Sequence, residues 1–287
     1  MDHIGEFFPD SPIWFRWLGR LAAPLFFYAL AVGFQHTRNR KKYLLRLYLA
    51  NVGMVFFNQI MCMLQRKLDY VAYQPKNHNI FTTLFCAGVL ICIWENRKEK
   101  KKFFTYIGIY IFWQAMVMGL AILAEAFDCV WRGNALLQTV LRTNYIFPLL
   151  GGIWDAEGGV FFIVLGVWLY CAVENKWKLA LRYILFCGAY MFMCQGDILY
   201  RIMSRFSFWG YHKLADVIYY GSSFVGIPLG TSDLSLLTEF YQWMMIGALP
   251  IMLACNRKRG KSLKWLFYAA YPLQFLVLYG ISYYKML

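Results

Sequence analysis

Long apolar runs, separated by short polar breaks, make up most of the chain from residue 17 onward. A run of about 20 apolar residues is long enough to cross the hydrocarbon core of a bilayer as a helix. The pattern therefore predicts an all-α, polytopic integral membrane protein that forms one domain over residues 1–287. The eight predicted spans cover residues 17–34, 43–64, 79–94, 103–127, 158–173, 179–198, 237–255 and 265–284.

Basic residues are concentrated in four of the breaks, which hold 18 of the 29 Lys and Arg residues. These breaks are residues 35–46, 95–102, 174–182 and 256–264. Because loops rich in Lys and Arg face the cytoplasm, all four are expected on that side. Eight spans satisfy this condition and place both ends of the given sequence on the external side.

Two further stretches are apolar but are not counted as spans. If residues 135–150 crossed the membrane, segments 95–102 and 174–182 would lie on opposite sides. We therefore predict a re-entrant or interfacial helix on the outer side for residues 135–150. Residues 202–230 mix aromatic and charged side chains, which is typical of a helix lying in the membrane interface.

The composition excludes a soluble domain. Of the 287 residues, 60% are hydrophobic and 15% are charged, and the mean hydropathy is +0.45. A soluble protein of this length needs more charge on its surface. The net charge of +14 does not indicate nucleic acid, because it lies in the short breaks between spans. Its expected counterpart is anionic lipid or an anionic cofactor.

The eight cysteines indicate neither a disulfide framework nor a metal site. They form no C-x-x-C pair, and no histidine stands at ligand spacing from them. Most fall within apolar runs, where cysteine usually behaves as a small apolar residue.

The first 47 residues carry three patterns: D-H-I, then G-R-x-A-x-P-x-F, then G-F-x-H-T-x-N-x-x-K-Y-x-x-R-L. Together they resemble the TraX family, membrane proteins known for acetylating the N-terminus of conjugative pilin subunits. Shorter likenesses recur later in the chain. The matching residues are Asp2, His3, Ile4, Gly19, Arg20, Ala22, Pro24, Phe26, Gly33, Phe34, His36, Thr37, Asn39, Lys42, Tyr43, Arg46 and Leu47, with weaker matches at 79–82, 157–170 and 271–273.

The resemblance implies a catalytic role for His3, with Asp2 beside it. An imidazole can take a proton from an attacking amine or hydroxyl near neutral pH, and it can itself accept an acyl group. The alternative is an interfacial histidine that caps the end of a helix. Adjacent residues on a helix point in different directions, so we do not expect Asp2 to orient the imidazole directly.

Arg20 opens the first apolar run and is the third candidate catalytic residue. A guanidinium inside a bilayer costs roughly 2.5–3.5 kcal/mol at mid-depth, so it needs a partner or water. Three roles are open: extension of the side chain toward the lipid headgroups, a salt bridge to Asp2, or an electrophilic contact to the transferred acyl group.

The first basic break is a candidate cofactor site for acetyl-CoA, the donor that the resemblance implies. Several cations close together suit a 3′-phosphate and a pyrophosphate. The positive-inside rule alone also explains the cluster. The candidate cofactor-binding residues are His36, Thr37, Arg38, Asn39, Arg40, Lys41 and Lys42.

Asn79, Glu157 and Asp197 are candidate substrate-binding residues, because they are polar groups inside or at the edges of predicted spans. An unpaired buried carboxylate is costly, so Asp197 needs a partner; Arg201, four residues on, can supply one along the same helix face. That pairing is more often structural than catalytic.

The chain departs from the family pattern at two places. Many relatives carry histidine where Gln274 stands, and glutamine cannot transfer a proton at neutral pH, so the proton role falls to His3. In the family the D-H pair also follows an apolar helix. We therefore expect about 20 apolar residues upstream of Met1, or else a His3 carried on a free tail.

The resemblance thus implies a multi-pass acetyltransferase of a bacterial plasma membrane. It would move acetyl from cytoplasmic acetyl-CoA to an amine or hydroxyl at the external face, on a pilin-like peptide, an envelope glycan or a lipid. Membrane lipid is the other expected partner, with no metal and no nucleic acid. The alternatives are a transporter or channel for a small amphipathic anion, and a non-catalytic assembly partner of a secretion or conjugation machine.

Overall fold

The structure is a computed structural model, and over the residues that it describes its secondary-structure elements are all helices. Asp2, Glu125, Thr143, Asn144, Gln195, Lys264, Trp265 and Met286 are described without their side chains. The described residues are 2–8, 10–70, 79–126, 143–154, 156–195, 205, 221–222, 224–227, 234–257 and 264–286.

The helices follow the apolar runs along the chain. In chain order they are α1 (Asp2–Phe7), α2 (Trp14–Gly19), α3 (Ala22–His36), α4 (Arg40–Leu68), α5 (Ile80–Glu95), α6 (Lys100–Ala126), α7 (Thr143–Leu149), α8 (Gly159–Tyr170), α9 (Lys176–Gln195), a 3-10 helix (Tyr241–Gly247), α10 (Ala248–Ala254) and α11 (Lys264–Met286).

Five described helices are long and apolar enough to cross a membrane, and three shorter apolar helices accompany them. Each of the eight predicted spans overlaps one of these helices. The protein is therefore a helical membrane protein, while the count of eight spans stays a prediction. The five long segments are Trp14–His36, Arg40–Leu68, Lys100–Ala124, Lys176–Cys194 and Leu266–Lys285.

The chain forms two compact units. The terminal unit comprises Met1–His36 and Gly158–Leu287, and the middle unit comprises Thr37–Glu157. The prediction of one domain over residues 1–287 stays a prediction.

In the terminal unit, the first apolar segment is broken at Arg20 and Leu21, between α2 and α3. Pro24 stands in the first turn of α3 and has no backbone N–H to give to the carbonyl of Arg20. A proline in a first turn is tolerated, because the N–H groups there have no helical acceptor in any case. The break therefore follows from one residue of the sequence.

At the N-terminus of α8, the backbone at Gly159 lies very close to the backbone at Gly226. Gly159 and Gly226 both have positive φ, at 67° and 87°. A Cβ on Gly159 would lie 2.5 Å from the backbone nitrogen of Gly226. Only glycine allows the two backbones to meet there.

In the middle unit, α4 packs against α5, and α6 contacts α5. Asn39 caps α4, since its Oδ1 accepts a hydrogen bond from the backbone N–H of Lys42 at 2.9 Å. Much of the apolar surface of α6 is exposed, as expected of a helix that faces lipid tails.

The chain leaves helical geometry after Leu149, and the last two carbonyls of α7 and the two that follow receive side-chain donors from α4 and α6. A carbonyl without a partner is costly where water is excluded, so these donors stabilise an irregular buried segment. The pairs are Asn51 Nδ2 to Pro148 O (2.6 Å), Tyr48 OH to Leu149 O (2.7 Å), Trp113 Nε1 to Leu150 O (2.9 Å) and Gln114 Nε2 to Gly151 O (3.2 Å).

These contacts bear on the predicted helix over residues 135–150. Its second half is helical over Thr143–Leu149, while residues 135–142 lie outside the described residues. The re-entrant interpretation stays a prediction. The second such helix, over 202–230, also lies almost wholly outside the described residues.

Candidate functional site

His3 lies in α1 and is packed against α11. Its ring centroid is 4.4 Å from that of Phe275 and 6.3 Å from that of Tyr271. The side chain is 16% exposed. The alternative of a free tail is therefore wrong, because the imidazole has a defined place on a helix.

The contact with α11 lies deep in the terminal unit. Phe275 stands near the middle of the candidate span Leu266–Lys285. At the other end of α1, the ammonium of Lys285 lies 4.7 Å from the ring centroid of Phe8. The short helix α1 thus runs alongside the second half of α11, with His3 beside the middle of α11 and Phe8 beside its end.

Glu6 is the carboxylate partner of His3. Its Oε2 lies 3.3 Å from Nδ1 of His3, three residues earlier in the same helix. Residues three apart share a helix face, and this spacing brings the two side chains together. With the proton assigned to Nδ1, where it faces the carboxylate, Nε2 is left as the nitrogen that can accept another proton.

Glu6 was not among the predicted site residues, although the sequence carried a signal for it. The order H-x-x-E within Asp2–Phe7 is enough to place both side chains on one face if that stretch is helical. Asp2 lies in α1 as well, but its side chain is outside the described residues.

Arg16 in α2 also reaches the site and was not predicted. Its Nη2 donates to the carbonyl oxygen of Gly5 at 2.6 Å, and its Nη1 donates to the hydroxyl of Tyr241 at 3.2 Å. Tyr241 begins the 3-10 helix, 225 residues later. No spacing pattern connects positions so far apart.

Arg20 lies over the same tyrosine. Its guanidinium carbon is 5.0 Å from the centroid of the Tyr241 ring, which is a cation–π distance. The predicted salt bridge to Asp2 falls on a side chain outside the described residues. Arg16 and Arg20 therefore contact one phenol at two places, the hydroxyl and the ring face.

The residues of the predicted cofactor-binding segment belong to both units, and they make different kinds of contact. His36 ends the first part of the terminal unit, and its Nε2 lies 2.9 Å from the carbonyl oxygen of Arg257. Asn39 caps α4. These two side chains are engaged by the backbone of the protein itself.

Arg40 is likewise engaged, by an acidic partner in the middle unit. Its Nη2 and Nε lie 2.8 and 3.4 Å from the two carboxylate oxygens of Glu95, and its Nη1 donates to the carbonyl of Thr37. A guanidinium that already holds a carboxylate contributes little net attraction for another anion. Arg38, Lys41 and Lys42 are exposed cations in the same segment.

Of the predicted substrate-binding residues, Asn79 belongs to a buried polar network in the middle unit. Its Nδ2 donates to Oδ1 of Asn51 at 2.8 Å, and the hydroxyl of Thr82 donates to the same oxygen at 2.7 Å. Asn51 is fully buried and was not predicted. The arrangement connects α4, the start of α5 and the end of α7.

The other two substrate-binding candidates are Glu157 and Asp197. The backbone carbonyl of Glu157 accepts a hydrogen bond from the hydroxyl of Thr83 at 2.9 Å. Asp197, with its proposed partner Arg201, lies outside the described residues. The part of the chain that the structure describes contains no group of three or more His, Cys, Asp or Glu residues able to hold a metal ion.

One comparison with known proteins gives a match. The family model described as TraX protein matches residues 1–147, which is half of the chain and includes His3, Glu6, Arg16 and Arg20. No curated protein and no solved structure matches. The chain belongs to the TraX family, whose membership implies a membrane protein associated with conjugation.

Proposed function

We propose that this protein is a membrane acetyltransferase that takes acetyl groups from cytoplasmic acetyl-CoA and passes them to an acceptor at the external face. The acceptor is the N-terminal amine of a small pilin-like peptide, or an amine or hydroxyl of an envelope glycan or lipid. The protein would lie in the plasma membrane of a bacterium. Membership of the TraX family and the five long apolar helices support this proposal.

The pairing of His3 with Glu6 is the single observation that carries the proposal. A carboxylate at Nδ1 fixes the tautomer and stabilises the imidazolium that forms when Nε2 takes up a proton. The rings of Phe275 and Tyr271 keep water from one side of the imidazole. A histidine held in this way is suited to general base catalysis.

The donor supplies an acetyl group activated as a thioester. Nε2 of His3 removes a proton from the acceptor amine or hydroxyl as that group bonds to the acetyl carbon, and the carbon–sulfur bond breaks. His3 then returns the proton to the departing thiolate, so the side chain ends the cycle neutral. Arg20 is the proposed donor to the developing oxyanion.

Arg38, Lys41 and Lys42 are the proposed contacts for the phosphates of the donor. They are exposed at the start of α4, where backbone N–H groups also point outward, and both features favour anions. Arg40 is left out of this set because Glu95 holds it.

The test is acetyl transfer by the purified protein in detergent, followed with radiolabelled acetyl-CoA and a pilin-like peptide or an envelope extract as acceptor. We expect turnover by the wild type and a loss of roughly 10²–10⁴-fold in His3→Ala, because general base catalysis contributes that much. The matched control is His212→Ala, a histidine with no part in the proposal. Wild-type turnover with no effect of His3→Ala would remove this histidine from the mechanism.

One observation favours a second candidate function. The break of the first apolar segment at Arg20 places a cation at an interrupted helix, as in many transporters for anions. Uptake of a labelled amphipathic anion by proteoliposomes, with no acetyl transfer by the same preparation, would support a transporter.

A further inference from the structure

The helix that carries His3 is too short to hold its own position. It has six residues, and isolated helices below about 12 residues are marginal in water. Its place against α11 must therefore come from contacts with other elements. The main contacts of α1 among the described elements are with α2 and α11.

Arg16 makes a charged hydrogen bond in the contact between α1 and α2. Its Nη2 meets the carbonyl oxygen of Gly5 at 2.6 Å, in the middle of α1 and two residues from His3. Its Nη1 meets the hydroxyl of Tyr241 at 3.2 Å, so the same guanidinium also ties α1 to the 3-10 helix. A charged donor bridging two elements fixes both the distance and the angle between them.

Gly5 is the complement of this contact. A Cβ at Gly5 would lie 2.6 Å from Cγ and 2.9 Å from Nε of Arg16. Gly5 is buried, and the stem of Arg16 passes directly over its Cα. Any larger residue at this position would push the arginine away from the carbonyl.

We propose that Arg16 is the positioning residue of the site: through Gly5 and Tyr241 it holds α1 so that the imidazole of His3 stays packed on α11. The consequence for catalysis rests on the proposed function. The positioning itself does not, because it concerns only where His3 lies.

The first experiment measures the position of His3 without any assay of activity. Diethyl pyrocarbonate modifies accessible imidazoles, and mass spectrometry of the N-terminal peptide gives the rate at His3. In Arg16→Ala we expect this rate to rise roughly tenfold or more, since hydrogen bonds from charged groups are among the stronger ones. Arg182→Ala, which alters another arginine–carbonyl contact of the same unit, is the matched control and should leave the rate unchanged.

Gly5→Ala separates this proposal from an effect of helix stability. Alanine is the better helix former, so a site limited by the stability of α1 itself would become less reactive. If Arg16 holds α1, the added methyl group displaces the arginine and His3 becomes more reactive. Slower or unchanged modification in Gly5→Ala would overturn the proposal.

Two further variants cover the case in which Arg16→Ala does not fold. Arg16→Lys keeps the charge but cannot reach both Gly5 and Tyr241, and it should expose His3 nearly as much as alanine does. Tyr241→Phe removes one of the two contacts and should give a smaller rise. Wild-type rates in both of these variants would overturn the proposal.

The second experiment asks whether positioning matters for turnover. In Arg16→Lys we expect kcat for acetyl transfer to fall roughly tenfold while KM for acetyl-CoA stays unchanged, because the proposed donor contacts lie in the middle unit. A rise in KM with unchanged kcat would overturn the catalytic part. Absence of transfer in the wild type would count against the proposed function, and the modification rates would still decide the role of Arg16.

Discussion

The two units of this protein use buried polar side chains in different ways. In the middle unit four of these side chains, Asn51, Tyr48, Trp113 and Gln114, donate to backbone carbonyls at the end of α7 and just after it. In the terminal unit, around α1, Arg16 also donates to a backbone carbonyl, that of Gly5, but several polar side chains contact one another. His3 meets Glu6 there, and two arginines meet Tyr241.

Under the proposed function, this difference predicts that the two sets of side chains serve different ends. A side chain that satisfies a buried carbonyl removes a large desolvation penalty and is held in place by that hydrogen bond. A histidine beside a carboxylate, by contrast, retains a nitrogen that can exchange protons. Substitutions of the buried polar side chains in the middle unit should therefore act on folding, and those around α1 on turnover.

The largest effect is expected for Asn51→Leu. This change leaves the carbonyl of Pro148 and the donors of Asn79 and Thr82 without their buried partner. Each unsatisfied group costs about 1–3 kcal/mol, so the yield of folded protein and its melting temperature in detergent should fall sharply. Asn175→Leu, which removes an exposed helix cap, should cost only about 1 kcal/mol.

If Asn51 acts only on folding, the fraction of Asn51→Leu protein that folds should show normal acetyl transfer per molecule. A variant that is fully stable but inactive would show that the network around Asn51 belongs to the catalytic machinery after all. Asn79 would then regain the substrate-binding role that its position in the sequence predicted.

The next effect is expected for Glu6→Gln, in the terminal unit. The amide keeps the shape of the carboxylate but cannot stabilise an imidazolium, so kcat should fall roughly tenfold to 100-fold, as expected for the loss of a hydrogen bond to a charged group. The melting temperature should hardly change. Glu99→Gln alters an exposed carboxylate that pairs with Lys102 three residues on, and it is the matched control. Equal kcat values in the two variants would exclude a role for Glu6.

The long helices could be predicted from the sequence because the apolar runs themselves set their positions and lengths. The helix break at Arg20 also had a local cause, in Pro24. Glu6 could have been found in the same way, since its partner is three residues away. In each case the information lies within about one helical turn.

The remaining contacts could not be predicted, because their partners are far apart in the chain. Arg16 and Tyr241 are separated by 225 residues, and Arg40 and Glu95 by 55. In the sequence, nothing distinguishes the residues of the basic segment that begins at His36 from one another. They differ only in the partners that the fold brings to them. His36 contacts the backbone carbonyl of Arg257, and Arg40 forms an ion pair with the side chain of Glu95.

The smallest effect is expected when the basic residues at the start of α4 or of α6, both in the middle unit, are replaced. Arg38, Lys41 and Lys42 lie at the start of α4, and Lys100, Lys101 and Lys102 begin α6. Both groups obey the positive-inside rule, so that rule alone predicts that either can be neutralised with the same result. If the first group holds the phosphates of the donor, only its replacement by three alanines should weaken the binding of acetyl-CoA.

The dependence on salt makes this last prediction sharper. The Debye length is about 30 Å at 0.01 M salt and about 10 Å at 0.1 M, so the loss of affinity in the α4 variant should be greatest at low ionic strength. Isothermal titration with acetyl-CoA, and with dephospho-CoA to remove the 3′-phosphate, measures this directly. An equal loss of affinity for acetyl-CoA in the α4 and α6 variants would indicate that both segments serve only to orient the protein in the membrane. Tighter binding in Glu95→Gln would show instead that Arg40 joins the α4 group once its carboxylate partner is neutralised.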